Sequence, residues 1–395
     1  MTTQLKPYTS KEAAFWQVTA ALMLASLLIF STLYVFQPLL PVFSNEFNVT
    51  ATQSSYLMSS AVISMVGGLF ILGFMADRYG RLLLMQISLG MTVLLLVLMP
   101  FIPSFEGLVF LRLLQGFFLA GVPAAAMGYL GEEVSTKDLG LAVTLYISSN
   151  ALGGMGGRVV SGYVTDVFNW NMTLLFLSGF GLVTTLLFIW LLPKERFFEK
   201  QETPMRKDLI GMLVHLKDRN MLSLFLMGLL LQVVFTAAWT YLPFYLQSDP
   251  FNWSLKSISF TYLAYGFGVL APPLAGRLSV RAGLSKVMLG GLVVLLMGVW
   301  MTGLPLTAFL LLGLGTMCMG FFVAHSMAAA LVSKTAVHHR SGASGFYLIS
   351  YYIGVAIGST AIGSLWEQFE WRGIMSTSVI FLLAAACLPF YKRLG

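Results

Sequence analysis

Long apolar runs separated by short polar breaks set the pattern of this chain from residue 15 almost to its end. A run needs about 20 mostly apolar residues to cross the hydrocarbon core of a bilayer. On that basis the pattern predicts twelve spans, near 15–40, 53–75, 82–100, 106–130, 139–164, 172–193, 220–246, 256–278, 285–303, 307–332, 342–365 and 373–391. No run shows strand-length alternation, and an open strand leaves its backbone unsatisfied in lipid, so the spans read as helices. One long polar stretch, Pro193 to Arg219, separates six spans from six. It reads as a cytoplasmic linker with some amphipathic helix at the interface. The expected architecture is an all-α polytopic membrane protein, with six-helix bundles over 1–193 and 220–395 joined by a linker over 194–219.

Composition agrees. The chain is 57% hydrophobic and only 10% charged, with a mean hydropathy of +0.83. Soluble domains carry roughly 25% charged residues, so a water-facing globule of 395 residues would lack polar cover. The net charge of +7 would suit a nucleic acid until its placement is read. With the N-terminus inside, nineteen of the 23 basic residues fall on the cytoplasmic side. This positive-inside asymmetry places both termini in the cytoplasm and removes the nucleic-acid reading. Cys318 and Cys387 lie in apolar runs with no metal-ligand or redox spacing and read as packing residues. No cofactor, metal or covalent catalytic constellation is indicated, so an enzyme is not expected. The first apolar run is too long for a signal-peptide core.

The two halves repeat. Tyr146, Gly153, Gly157, Gly162 and Trp170 recur 201 residues later as Tyr347, Gly354, Gly358, Gly363 and Trp371. Pro41 matches Pro243, and Gly116-Phe117-Phe118 matches Gly320-Phe321-Phe322. Parallel repeats of this kind characterise transporters that bind substrate between their halves.

Between spans 2 and 3 the chain reads Gly73-Phe-Met-Ala-Asp77-Arg78-Tyr79-Gly80-Arg81, and span 4 contains Arg112-Leu-Leu-Gln115-Gly116. Both resemble signatures of the major facilitator superfamily. The second-half copy keeps Gly276, Arg281 and Gly283 but has Val280 where the first has Asp77. Gly73 is expected to permit close helix approach and Gly80 to turn with positive φ. The resemblance implies a charge cluster of Asp77, Arg78 and Arg81 with Glu132 or Glu133, facing the N-terminus of span 11 and latching the inward gate. The plainer alternative is a turn with surface ion pairs worth under ~1 kcal/mol.

Span 5 reads Gly153-Gly-Met-Gly-Gly157-Arg158-Val-Val-Ser161-Gly162. This resembles the G-x3-G-P-x2-G-G motif of the superfamily's drug:proton antiporters, with Arg158 in the proline place and Ser161 for a glycine. A charge inside a span is costly and marks a functional candidate. Arg112 and Arg158 fall at similar depth, with no carboxylate in the middle of any span to neutralise them. Two unpaired cations would favour an anionic or acceptor-rich substrate; the alternative ties each to backbone carbonyls or to Glu106 and Asp166.

Candidates for the substrate or proton pathway are Tyr34 and Gln37 on span 1, Arg112 and Gln115 on span 4, and Asn150 and Arg158 on span 5. The second half adds Gln232, Trp239, Tyr241, Tyr265, His325, Tyr347 and Tyr351. An aromatic, mostly uncharged lining suits amphipathic organic molecules. The proton-carrier candidates are Glu132, Glu133, Asp166, Glu46 and His325, a residue type that can titrate near neutral pH, with a structural hydrogen bond as the alternative role for His325. The resulting expectation is a secondary active exporter of a small organic compound or drug, exchanging it for protons by alternating access. It would work as a monomer in a bacterial inner membrane. A sugar or organic-anion transporter on the same fold is the first alternative, and a non-transporting receptor or channel is the second.

Overall fold

The computed structural model describes residues 6–198, 200, 214–336 and 340–388. The amphipathic helix expected in the linker falls largely outside these residues. The described chain is helical apart from one isolated bridge between Tyr8 and Val134. We number the long helices α1 (Ala13–Phe47), α2 (Ala51–Tyr79), α3 (Arg81–Phe101), α4 (Phe105–Glu133), α5 (Leu139–Val167) and α6 (Trp170–Leu191). The second series is α7 (Arg219–Gln247), α8 (Leu255–Ala282), α9 (Leu284–Thr302), α10 (Thr307–Thr335), α11 (Arg340–Ala356) and α12 (Gly363–Ala386).

Ten of these are long and apolar enough to cross a membrane. The two others are α5, diluted by its glycines, Asn150 and Arg158, and α11, which is only 17 residues long. A π-helical turn, Ile357–Ala361, prolongs α11. Within Gly363–Ala386 the backbone breaks at Glu370, φ 50° and ψ −138°. Residues 363–369 therefore belong in line with the eleventh span, and 371–386 make the twelfth.

The chain packs as two compact units, Met1–Phe36 with Ser60–Glu202, and Gln37–Ser59 with Thr203–Gly395. The sequence places 1–193 together, whereas residues 37–59 make their polar contacts in the second unit. Gln37 Nε2 donates to Thr240 Oγ1 at 3.3 Å, and the Thr52 amide to Glu367 Oε1 at 3.2 Å. Thr360 Oγ1 lies 2.8 Å from Ser59 Oγ and 3.0 Å from Ser55 Oγ.

In the first unit, α5 crosses α1 where side chains are missing. A Cβ on Gly153 would stand 2.5 Å from the Leu27 carbonyl oxygen, and one on Gly157 would stand 2.6 Å from that of Ser31. In the second unit, α11 crosses α7 in the same register. A Cβ on Gly354 would stand 2.5 Å from the Leu229 carbonyl oxygen, and one on Gly358 2.5 Å from that of Val233. Lipid tails give apolar helices little reason to associate, so close backbone approach through small residues supplies the packing. The 201-residue repeat is thus a repeat of helix crossings. Cys318 is buried, while Cys387 is exposed rather than packed.

Candidate functional site

The signature loop is a single-glycine turn. Gly80, at φ 100°, ends α2 and starts α3, a conformation that disfavours any side chain. Arg81, four residues after Asp77, donates from Nη2 to Asp77 Oδ1 at 2.9 Å and from Nη1 to Glu132. The guanidinium is nearly buried and both carboxylates are partly exposed. Arg78 stands half-buried at the end of α2.

The two glutamates of α4 divide their work. Glu133, 1% exposed, accepts from Arg196 Nε at 2.9 Å and from the Phe197 amide at 3.1 Å. Arg196 in turn lies 3.4 Å from the ring centre of Tyr8. Tyr8 is itself anchored, its amide donating to the Glu133 carbonyl at 2.8 Å and its carbonyl accepting from Ser135 N at 2.9 Å. Burial raises the Tyr8 phenol pKa, and Arg196 opposes that shift. Gly73 does not fill the role expected of it. A Cβ there would meet Ala124 Cβ at an ordinary 4.0 Å, whereas one on Gly68 would fall 2.6 Å from the Phe117 carbonyl oxygen.

The expectation of two unpaired cations does not hold. Arg112 is fully buried and donates to the carbonyl oxygens of Thr32 at 3.2 Å and Leu33 at 2.9 Å, and to Gln115 Oε1 at 2.6 Å. Those carbonyls are available because the regular helix of α1 ends at Tyr34 and a 3-10 turn with Pro38 follows. A helix leaves its last four carbonyls without internal partners, and those of Thr32 and Leu33 are among them. Arg112 is therefore a cationic cap on a helix C-terminus, where the dipole favours it. Its guanidinium also lies 4.6 Å from the Phe36 ring centre, and Gln115 Nε2 donates to Thr92 O at 3.0 Å.

Arg158 curls back on its own helix, Nη1 donating to Gly154 O at 2.7 Å, with the guanidinium 3.8 Å from the Tyr34 ring centre. Gly154 makes room for this arrangement: a Cβ there would lie 3.3 Å from both Arg158 Nη1 and the Tyr34 ring. Asn150, one turn earlier, accepts the hydroxyl of Ser26 on α1.

In the second unit the candidates form an aromatic ladder. Trp239 stacks on Tyr262 and meets Tyr265 at a tilt of 46°, each at 4.9 Å between ring centres. Tyr265 meets Phe235 at 5.5 Å, and Phe235 lies flat on Phe321 at 3.8 Å. Phe321 is parallel to His325 at 5.7 Å, and His325 touches Tyr351 at 4.9 Å. Tyr347 closes the series, its hydroxyl 2.9 Å from His325 Nδ1. Gly228 on α7 makes room for that tyrosine, since a Cβ there would fall 2.6 Å from the Tyr347 ring.

Two polar atoms on α7 stand out. Trp239 Nε1 and Gln232 Oε1 are buried with no hydrogen-bond partner among the described residues, although Gln232 Nε2 donates to Thr236 at 2.9 Å. Tyr241 lies outside the ladder, donating to Ser359 O at 2.8 Å and stacking on Trp366. Sequence reasoning missed Phe235, Tyr262 and Phe321 as members. Phe321 carried a signal, its place in the repeated Gly-Phe-Phe, but symmetry alone does not mark a ring as part of a site.

Comparison with known proteins settles the family. The profile described as Major Facilitator Superfamily matches residues 22–271 and 248–394. The chain belongs to the Major Facilitator Superfamily. It is 33% identical over 377 residues to the MFS-type transporter YybF of Bacillus subtilis, covering 95% of this chain and 93% of YybF. It is 34% identical over 371 residues to the inner membrane transport protein YnfM of Escherichia coli, covering 94% and 89%. Among solved structures it resembles a point mutant of the nucleoside transporter NupG, with TM-score 0.77, 17% identity and coverage of 94% and 100%. It also resembles the D-xylose-proton symporter, with TM-score 0.76, 14% identity and coverage of 95% and 98%. At these identities the structures establish the fold. The chain is thus an integral membrane protein and a secondary transporter rather than an enzyme.

Proposed function

We propose that this transporter exports a small, amphipathic organic compound in exchange for protons, by alternating access, in a bacterial inner membrane. The observation that carries the reading is the aromatic ladder with its two partnerless polar atoms. A buried polar atom without a partner costs about 1–3 kcal/mol. A molecule offering an acceptor to Trp239 Nε1 and a donor to Gln232 Oε1, with an apolar body against the rings, would offset both costs. The span 5 glycine motif, resembling that of drug:proton antiporters, supports the export direction.

One observation favours an organic anion instead. Arg112 and Arg158 put two positive charges inside the first unit, with no carboxylate mid-span to balance them. The carbonyl and ring contacts of both guanidiniums make structural roles sufficient, so this reading ranks second. The test is a proton-flux assay in inverted vesicles, challenged in turn with cationic drugs, neutral aromatics, organic acids and sugars. Alkalinisation of the lumen on adding an aromatic or cationic compound supports proton-coupled export. A response confined to organic acids favours the anion reading, and no response to any class overturns transport by proton exchange.

A further inference from the structure

One long stretch of the second unit carries cations without acids. No aspartate or glutamate occurs between Asp249 and Glu367, while Arg277, Arg281 and Lys286 cluster at the α8–α9 turn. All three are exposed, and none forms an ion pair among the described residues. The contrast with the first unit is local. There Arg81 is neutralised by Asp77 and Glu132, whereas Val280, 87% exposed, stands where the repeat would supply the aspartate. The turn is again a single glycine, Gly283 at φ 87°, and α9 starts from it without a side-chain cap. Free amide hydrogens at that helix start add to the positive potential.

A groove opens beside this turn. It has a volume of about 390 Å³ and runs between α8, α9 and α10, with Lys286 as its one charged wall. Its floor is made of small residues, Ala271, Ala275, Gly290 and Gly291, and its rim of exposed Leu274 and Leu278. From Lys286 to Val294 on α9 the groove is roughly 12 Å long at 1.5 Å per residue. It is narrow, apolar and open to the side, with a cation at the end the positive-inside rule assigns to the cytoplasm. A second groove, of about 250 Å³ between α1, α5 and α6, is lined by apolar residues with Ser31, Ser161 and Thr173, and has no charged wall.

We propose that the α8–α9–α10 groove is a binding site for an anionic phospholipid of the inner leaflet. One acyl chain lies along Gly290 and Ala275, and the phosphate is held by Lys286 with Arg281 and Arg277 at the turn. The chemistry decides the class of ligand. A lipid-exposed slot excludes a water-soluble anion from its length, and three cations without acids select against a zwitterionic headgroup. Charge near a membrane surface is worth about 1 kcal/mol per lysine, so losing one cation should weaken selective binding roughly fivefold. This site is independent of the substrate reading above.

The experiment is native mass spectrometry of the purified full chain with phosphatidylglycerol or phosphatidylethanolamine added at equal concentration. We expect phosphatidylglycerol adducts to dominate and Lys286→Gln to reduce them roughly fivefold without changing phosphatidylethanolamine adducts. Lys286→Arg should keep the preference. Gly290→Leu, at a position where an added Cβ meets nothing within 4 Å, should fill the slot and reduce adducts of both lipids. Gly156→Leu, equally open and lining the uncharged groove, should leave the preference intact. Melting curves of each variant in detergent identify any that misfold. Equal adducts in the wild type, no effect of Lys286→Gln or Gly290→Leu, or an equal loss in Gly156→Leu would each overturn the proposal.

Discussion

The guanidinium of Arg158 lies face-on to Tyr34, 3.8 Å from the ring centre, joining α5 to the end of the regular helix of α1. A desolvated cation–π contact is worth about 2 kcal/mol, and here it partners a charge whose burial would otherwise be costly. Tyr34→Phe keeps the ring but loses the hydroxyl's hydrogen bond with Arg158, and should cost about 1 kcal/mol or less. Tyr34→Ala removes it and should destabilise by about 2 kcal/mol. Equal melting of Tyr34→Ala and wild type would show that the ring contributes nothing to holding Arg158.

The glycine crossings give a sharper comparison, because neighbouring glycines differ only in what faces them. A Cβ on Gly157 or Gly358 would fall within 2.6 Å of a backbone carbonyl oxygen, while one on Gly156 meets nothing within 4 Å. Alanine at either crossing must push two helices apart, at a cost of about 1–3 kcal/mol by overpacking. Gly156→Ala should be neutral or slightly stabilising, alanine being the better helix former. Gly73→Ala, despite its place in the signature loop, should also be mild. Detergent melting temperatures of the four variants decide the order.

These crossings were legible in the sequence because the repeat wrote them twice at one offset. Gly80 was legible as well, since a one-residue turn between two helices needs a positive φ. The role of Arg112 was not. It depends on where the regular helix of α1 ends, which frees carbonyls that lie 79 and 80 residues away in sequence. Glu133 was placed correctly at the end of α4, but its partner Arg196 comes 63 residues later, beyond any helical spacing rule. The aromatic ladder was half visible. Tyrosine, tryptophan and histidine drew notice as polar aromatics, whereas Phe235 and Phe321 look like any other apolar residue until the fold stacks them.

The partnerless indole nitrogen separates function from stability at one residue. Trp239→Phe keeps an aromatic ring among Tyr262, Tyr265 and Phe235, and removes the N–H that no described residue accepts together with the five-membered part of the buried indole. Deleting an unsatisfied donor is nearly neutral or stabilising. The variant should therefore fold with a modest loss of stability, about 1 kcal/mol for the space the smaller ring leaves, while losing roughly tenfold in apparent substrate affinity, the worth of one hydrogen bond of about 1.4 kcal/mol. Unchanged affinity in flux assays would remove Trp239 from the substrate site.

Arg81 and Asp77 test the gate reading. The Asp77 carboxylate is 38% exposed at its side chain, so its pairing is worth about 1 kcal/mol, and Asp77→Asn should shift an inward/outward population by roughly fivefold. Arg81, 10% exposed, answers two carboxylates, so Arg81→Gln should shift it further. Spin-label distance distributions report the populations. If neither variant changes them or the transport rate, the cluster is a structural turn and not a latch.

Asp138 offers a pH-dependent contact outside the spans. Its carboxylate accepts the Ser10 hydroxyl at 2.8 Å, the Ser10 amide at 3.2 Å and the Ser135 hydroxyl at 2.9 Å. The Ser10 bonds, above all, hold its pKa below the usual carboxylate range. A depressed carboxylate pKa stabilises the attached N-terminal segment fully above the free value of about 3.9, and the effect is lost as pH falls through the bound value. Hydrogen exchange of the peptide containing Ser10 should therefore stay protected from neutral pH down to about 5 and lose protection progressively below about 4. Asp138→Asn keeps the shape but accepts more weakly, so its exchange should be faster at neutral pH and lack the acid step. An acid step of the same size in Asp138→Asn would assign the transition to another group.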